Sequence, residues 1–218
     1  SEAGRRHFDA ALCYKKEDPE KAVTFLKKGV ATLVENGRFF PAANREKEIA
    51  EILENHLNRP EEAMLHYQKA ADWYSGEDAM ASSNGCHLKV AHLAILSKQW
   101  IKAYDIYEQV AEQSATTSAK WSIKEYLWVA GVARMCEGDE VATKKALDRY
   151  LDIDMTFGET RECKFLFDIQ EAIVEFSEQK FQELVQQYDN MTRLDDWKTD
   201  MLLHIKNTMN SAQDDDLL

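Results

Sequence analysis

The hydrophobic positions of the chain recur at helical spacing, and this pattern itself repeats about every forty residues. Each repeat opens on a proline or a polar stretch, continues to an alanine, and then places apolar side chains three to four residues apart. The aligned alanines are Ala22, Ala63, Ala103 and Ala142, separated by 41, 40 and 39 residues. Such a regular period indicates a stack of similar supersecondary units.

Further amphipathic segments of helical length lie between the repeated alanines. They extend over about residues 39–57, 84–96 and 121–135. Each period is therefore predicted to be a pair of helices joined by a short turn. Pro19 and Pro60 fall at first helical positions, where the missing N–H costs nothing. Because each pair can bury its apolar stripe only against the next pair, residues 1–150 are predicted to form a tetratricopeptide-like helical-hairpin solenoid.

The period breaks after Tyr150, and the rest of the chain is predicted to be organised differently. Residues 151–158 are typical of a loop. We expect a C-terminal helical bundle cap over residues 151–210, followed by an acidic flexible tail at residues 211–218. The helices predicted for the cap are at residues 159–176, 179–188 and 195–209. The predicted fold class is thus all-α.

Composition supports long helices and excludes several other classes. Only 8 Gly and 3 Pro accompany 44% apolar and 30% charged residues, which is too little punctuation for a β-sandwich or a barrel. No apolar run approaches the roughly 20 residues that span a bilayer, and the first residues do not resemble a signal peptide. We therefore expect a cytoplasmic protein.

The charge is negative and unevenly distributed. The net charge is -12, which argues against nucleic acid as the main partner because phosphate binding needs a basic surface. Residues 1–109 carry 15 Lys and Arg against 17 Asp and Glu, whereas residues 110–218 carry 12 against 22. This asymmetry suggests two partner surfaces of different sign.

The four cysteines are far apart, form no C-x-x-C motif and lie within apolar helical patterns. Such cysteines are predicted to be reduced thiols buried in the core rather than disulfides or zinc ligands. They are Cys13, Cys86, Cys136 and Cys163.

No catalytic or cofactor-binding constellation is evident. The chain has no glycine-rich phosphate loop, no nucleophile elbow and no H-E-x-x-H motif. His87 and His92 are five residues apart, which puts them on different helix faces. We therefore predict no catalytic residue, no metal site, no cofactor and no enzymatic activity. The residues alone leave open a generic repeat scaffold for a helical or peptide client, and an enzyme without a recognisable motif.

Several longer stretches carry a more specific signal, and they cover nearly the whole chain in order. They are Tyr14–Pro19, Gly37–Phe39, His66–Tyr67, Ala71–Tyr74, Leu88–Ala91, Ala103–Val110, Arg161–Lys164, Tyr188–Asp189, Arg193–Trp197 and Met201–Lys206. With these stretches the chain resembles the soluble NSF attachment proteins, closest to the α type. Roughly the first eighty residues of family members, including an apolar loop that touches the membrane, have no counterpart here. The resemblance therefore implies either a piece of a longer family member or a member that is itself N-terminally shortened.

The resemblance implies a non-enzymatic adaptor in vesicle-mediated transport, ER–Golgi transport and membrane fusion. Members of the family coat the SNARE four-helix bundle in several copies and recruit the AAA+ ATPase NSF, which pulls the bundle apart. We therefore expect syntaxin-like and related SNAREs and an NSF-type ATPase as partners. The chain is expected to be peripheral on membranes, with membrane contact weakened by the missing loop.

The resemblance also implies which basic residues face the SNARE bundle, whose surface is acidic. The matching cations are Lys15, Lys16, Arg38, Lys89 and Lys124. Asn44 and Gly85 stand where the α type has lysines, and Arg45, next to Asn44, is expected to reach a similar place. Without the resemblance, these cations would be interpreted as ordinary solvated side chains.

The ATPase-facing residues implied by the resemblance are acidic and lie toward the C-terminus. Val174 replaces one acidic residue of the family pattern. In the family, an acidic run and a penultimate leucine stimulate ATP hydrolysis; the alternative is an acidic tail that serves solubility alone. The matching positions are Asp139, Glu171, Glu175, Asp214, Asp215, Asp216 and Leu217.

Overall fold

A computed structural model describes residues 2–116 and 120–215, and the side chains of residues 6–116 and 121–211. Over these residues the chain is helical and contains no strand, so the predicted all-α class is confirmed. The α-helices are α1 (Glu2–Tyr14), α2 (Pro19–Glu35), α3 (Phe39–Asn55), α4 (Pro60–Gly76), α5 (Met80–Leu96), α6 (Trp100–Ala115), α7 (Ile123–Glu137), α8 (Glu140–Ile153), α9 (Arg161–Val174), α10 (Glu178–Met191) and α11 (Asp196–Asp215). Single 3-10 turns lie at Lys120–Ser122 and Phe157–Glu159.

The repeat predicted the starts of alternate helices. Pro19 and Pro60 are the first residues of α2 and α4, as expected. The side chain of Asp18 caps α2 by accepting a hydrogen bond from the backbone N–H of Lys21 at 3.1 Å. The repeated alanines of α2, α4 and α6 are completely buried, whereas Ala142 in α8 is only half-buried. The fourth repeat thus buries its alanine less completely than the other three.

The chain divides into two compact units. Unit 1 is Ser1–Leu93. Within it α1 packs on α2, α2 on α3, and α3 on α4. The contact between α1 and α2 is close because Gly29 has no side chain, and a Cβ there would lie 2.3 Å from the ring of Phe8.

Unit 2 is Ala94–Leu218. Helix α7 is its centre and contacts α6, α8, α9 and α11. On α7 the buried indole of Trp128 stacks on Phe165 and on Tyr188, with ring centroids 5.6 Å apart in each pair. Every residue of α7 from Leu127 to Ala133 is buried, which explains why its sequence lacks a strongly polar face.

Some expected boundaries differ from those of the structure. Helix α8 continues to Ile153, into the segment predicted to be a loop, and Phe157 is buried against Tyr150. Helix α11 continues to Asp215, beyond the expected end at Met209. No glycine or proline interrupts the polar residues after Met209, so nothing in the local sequence stops the helix there.

The prediction that all four cysteines are buried is wrong for one of them. Cys86, Cys136 and Cys163 are buried free thiols, whereas Cys13 is exposed. On α1 the buried position is Ala11, and Cys13 lies two residues, or about 200°, around the helix from it.

No helix in the described parts of the chain combines the length and apolar character needed to cross a bilayer.

Candidate functional site

Two of the expected SNARE-facing cations converge on one carboxylate in unit 1. The guanidinium of Arg45 on α3 donates to Oε2 of Glu48 at 2.7 Å, and Nζ of Lys15 lies 3.9 Å from Oε1 of the same side chain. Arg45 also stacks over the ring of Phe8, 4.5 Å from its centroid. The structure therefore places Lys15 and Arg45 beside each other, and the carboxylate of Glu48 compensates part of their positive charge.

Lys89 on α5 is held by a second carboxylate of α3. Its Nζ donates to both oxygens of Glu54, at 3.1 and 3.3 Å, and lies 5.9 Å from the ring centroid of Tyr67. The hydroxyl of Tyr67 donates to Glu54 at 2.7 Å. Burial, together with this carboxylate, raises the pKa of Tyr67 and keeps the phenol protonated. The amine of Lys89 is therefore fixed in place while nearly half of its side chain stays exposed.

Lys16 and Arg38 are the most available of the expected cations. Both are exposed, and neither forms an ion pair with another described side chain. Arg38 is the residue before α3, with its side chain free of any capping hydrogen bond. Exposed cations without an ion-pair partner can contact an acidic partner protein without first breaking an ion pair within the chain.

The two positions that depart from the family pattern have different environments. Oδ1 of Asn44 accepts a hydrogen bond from the hydroxyl of Tyr74 at 2.5 Å, so this amide links α3 to α4. Gly85 on α5 faces open space, because a Cβ placed there would meet no atom within 4 Å. Gly85 lies one helical turn before Lys89, on the same side of α5.

The remaining expected cation, Lys124, belongs to unit 2. Its Nζ lies 3.2 Å from Oε1 of Glu162, at a cavity that also includes Trp121 and Lys198. Trp121 is 90% exposed, although it opens the amphipathic segment recognised at residues 121–135. Lys198 in turn donates to Glu125 at 2.9 Å.

The expected ATPase-facing acids of unit 2 carry structural contacts of their own. Asp139 caps α8 by accepting a hydrogen bond from the backbone N–H of Ala142 at 2.9 Å. Glu171 on α9 and Glu175, which follows α9 directly, both accept hydrogen bonds from Lys180, at 2.7 and 3.0 Å. These two carboxylates raise the pKa of Lys180. All three acids remain exposed to solvent.

The acidic C-terminal residues are described only in part. Asp214 and Asp215 belong to the last turn of α11, and their side chains lie outside the described residues. Asp216 and Leu217 lie outside them altogether.

Three buried carboxylates were not anticipated from the sequence: Glu46 in unit 1, and Glu108 and Glu162 in unit 2. Oε2 of Glu46 contacts Nδ1 of His66, and Oε1 accepts a hydrogen bond from Lys69 at 2.6 Å. Burial acts to raise the pKa of Glu46, but His66 and Lys69 outweigh burial and hold this pKa below its ordinary value. Glu46 therefore stays ionised and joins α3 to α4.

Glu108 has the corresponding role in unit 2. It accepts hydrogen bonds from Arg134, Arg149 and Tyr150, so one carboxylate connects α6, α7 and α8. Burial acts to raise its pKa, but hydrogen bonds from Arg134 and Tyr150 and the charges of both arginines hold this pKa below its ordinary value. With complete pairing, Glu108 is a structural residue and not a reactive one. Across the described residues, no three His, Cys, Asp or Glu side chains gather as a metal site would require.

Comparison with known proteins places the chain in a family. A family model described as "Soluble NSF attachment protein, SNAP" matches residues 1–210. An alpha-soluble NSF attachment protein of Vitis vinifera is 40% identical over 99% of this chain and 75% of its own length. The human alpha-soluble NSF attachment protein is 38% identical, over 95% and 70% of the two chains. A probable vesicular-fusion protein sec17 homolog of Schizosaccharomyces pombe is 37% identical, over 98% and 74%. The chain therefore belongs to the family of soluble NSF attachment proteins.

Proposed function

We propose that this chain is a non-enzymatic adaptor that binds SNARE complexes and recruits an NSF-type ATPase for their disassembly. The observation that carries the proposal is family membership over nearly the whole chain, with relatives named as NSF attachment and vesicular-fusion proteins. In the cell such an adaptor acts in the cytoplasm, on SNARE complexes at membrane surfaces, with several copies on each SNARE bundle.

The distribution of charge supports one surface for each partner. In unit 1 the cations Lys16 and Arg38 are exposed without a described ion-pair partner, and Lys89 keeps much of its side chain in solvent. An acidic helical bundle would be attracted to such cations in a salt-dependent way. In unit 2 the exposed acids Glu171 and Glu175 would attract a basic surface of the ATPase.

The SNARE part of the proposal is tested by charge reversal at the two unpaired cations. Retention of the NSF-type ATPase on an immobilised SNARE bundle is measured with the wild-type chain, without it, and with the double variant Lys16→Glu, Arg38→Glu. We expect the double variant to lose most of the retention at low salt. Neither side chain supports the fold through an ion pair, so its circular dichroism and melting should match those of the wild type.

A matched control carries the same change of charge elsewhere. Lys27 and Lys102 are equally exposed, lack a described ion-pair partner and are not among the expected SNARE contacts. Lys27→Glu with Lys102→Glu should therefore retain the ATPase nearly as well as the wild type. Equal losses in both double variants would show that only net charge matters, and would contradict the assignment of Lys16 and Arg38.

The ATPase part is tested at the C-terminus. Replacing Asp214, Asp215 and Asp216 by Ser and Leu217 by Ala removes the acidic run and an apolar side chain whose burial is worth roughly 1.5–3 kcal/mol. Stimulation of ATP hydrolysis should fall, whereas binding of the chain to the SNARE bundle should not change. Unaltered stimulation would instead favour a scaffold for another client.

A further inference from the structure

Unit 2 contains an apolar groove formed by residues of four helices and by Gly138 and Phe176, which lie just beyond the ends of two of them. Its apolar walls come from α7, α9 and α11, and its volume is about 170 Å³. An enclosed cavity of similar size, about 150 Å³, holds a benzene molecule, so the groove can accept one large apolar side chain. The wall residues are Met135, Ile173, Phe176, Ile205 and Met209.

Phe176, at the edge of this groove, has an unfavourable backbone conformation. It follows the end of α9 with φ +51°, in the left-handed region, where the backbone N–H of Ser177 donates to the carbonyl of Ala172 at 3.0 Å. Glycine is the usual residue at this position, and a bulky side chain there is strained. Gly138, at the end of α7, lines the same groove in the same region with φ +91°. A glycine in place of Phe176 would therefore adopt this backbone conformation without strain.

Burial within this chain offsets only part of the strain at Phe176. The side chain keeps 42% of its surface exposed, and its neighbour Val174 keeps 51%. Strained residues that persist without such a gain are concentrated at sites of binding. An aromatic ring held half in solvent at the mouth of an apolar groove provides contact area for a partner.

The charge around the groove indicates the chemistry of that partner. Glu140 lines the groove itself, Glu171 lies on α9, the helix that supplies Ile173, and Glu175 follows that helix directly. Lys180 compensates only part of this charge, because one amine is shared by two carboxylates. The surroundings therefore favour an apolar side chain carried on a basic surface.

We infer that this groove is the apolar anchor point for the NSF-type ATPase: it takes one apolar side chain of a basic ATPase surface, against the ring of Phe176. The inference rests on the proposed adaptor function and adds an uncharged contact to it. An anchor of this kind gives affinity that persists at salt concentrations where the surrounding carboxylates are screened.

The experiment uses the full chain with Phe176→Gly, which removes the ring and relieves the backbone strain. Binding of the purified ATPase to the chain on an immobilised SNARE bundle is titrated at low and at high salt, and melting is followed in parallel. We expect the variant to bind the ATPase roughly tenfold more weakly at both salt concentrations. Its melting temperature should be equal to or above that of the wild type. Phe176→Leu, which keeps an apolar side chain, should recover most of the affinity.

The matched control is Lys98→Gly. Lys98 lies two residues beyond the end of α5, as Phe176 does beyond α9, in the same left-handed conformation with φ +56°. The residue after it closes the same type of turn, but Lys98 does not line the groove. This variant should bind the ATPase like the wild type. A loss of affinity shared by both glycine variants would mean that the backbone and not the ring is responsible, which would overturn the inference.

The remaining outcomes are distinct. If the wild-type chain recruits no ATPase, the adaptor function itself fails. If the wild type and Phe176→Gly recruit it equally, the adaptor function stands and the groove is not its anchor. Tighter ATPase binding by Phe176→Gly would show that the groove holds the chain's own C-terminal leucines, and a change in oligomeric state would show that it holds a second copy. Either result would also overturn the inference.

Discussion

Gly85 tests the SNARE-facing surface with a single added side chain. It lies one turn before Lys89 on α5, and a Cβ there meets open space, so a lysine fits without any rearrangement. We expect Gly85→Lys to raise the free energy of unfolding by about 0.5–1 kcal/mol, because glycine is a poor helix former. Binding to the SNARE bundle should strengthen several-fold at low salt and lose most of that gain at high salt.

Gly85→Gln separates the effect of charge from that of helix stability. Glutamine has a helix propensity close to that of lysine but carries no charge. Both variants should therefore unfold at similar denaturant concentrations, and only the lysine variant should bind the SNARE bundle more tightly. If the glutamine variant binds the SNARE bundle as tightly as the lysine variant, a positive charge at residue 85 of α5 does not contribute to binding.

The sequence could indicate which cations to consider, but not which of them are already paired. Lys15 and Glu48 are 33 residues apart, and Lys89 and Glu54 are 35 apart, so helix packing alone brings each pair together. Local pattern carries no information on contacts of this kind.

At the scale of the helix, substitution of a repeated alanine tests how closely neighbouring helices approach. Ala103 in the first turn of α6 is completely buried, whereas Ala142, its counterpart in α8, is half-buried. Ala103→Leu must force three extra carbon atoms into a packed contact, and we expect a loss of about 1–3 kcal/mol in the free energy of unfolding. Urea denaturation of the purified chain measures this loss.

Ala142→Leu is the matched control, with the same substitution at the same repeat position. Part of its new side chain can extend into solvent, so we expect a change within about 0.5 kcal/mol. Similar losses at Ala103 and Ala142 would contradict the assignment of the loss to the close helix contact at the buried alanine, because leucine and alanine differ little in helix propensity.

Helix starts were predicted better than helix ends. Prolines and the regular spacing of the alanines mark where α2 and α4 begin, because proline at the first helical position is a local chemical signal. The ends of α8 and α11 have no such signal, since neither Ile153 nor Asp215 is followed by an immediate glycine or proline. The groove beside Phe176 was also beyond prediction, because its walls come from helices distant in sequence.

At the scale of the whole molecule, each unit has a buried carboxylate that joins its helices through several hydrogen bonds, Glu46 in unit 1 and Glu108 in unit 2. We predict that Glu108→Gln destabilises unit 2 by on the order of 3 kcal/mol, because it leaves two arginines with a buried neutral partner. Hydrogen exchange followed by mass spectrometry should show faster exchange in α6, α7 and α8. Glu46→Gln should instead accelerate exchange in α3 and α4.

The effect of Glu108→Gln should depend on pH in a defined direction. The folded-state pKa of Glu108 lies below its ordinary value, and an unfolded glutamate titrates near about 4.3. The stabilisation is therefore complete above that value and is lost as the pH falls through the folded pKa. The difference in hydrogen-exchange protection between the wild type and Glu108→Gln should be large at pH 7 and should become smaller toward about pH 3.5. A difference that is the same at both pH values would mean that the hydrogen bonds of Glu108 act through geometry alone, and that its charge does not hold α6, α7 and α8 together.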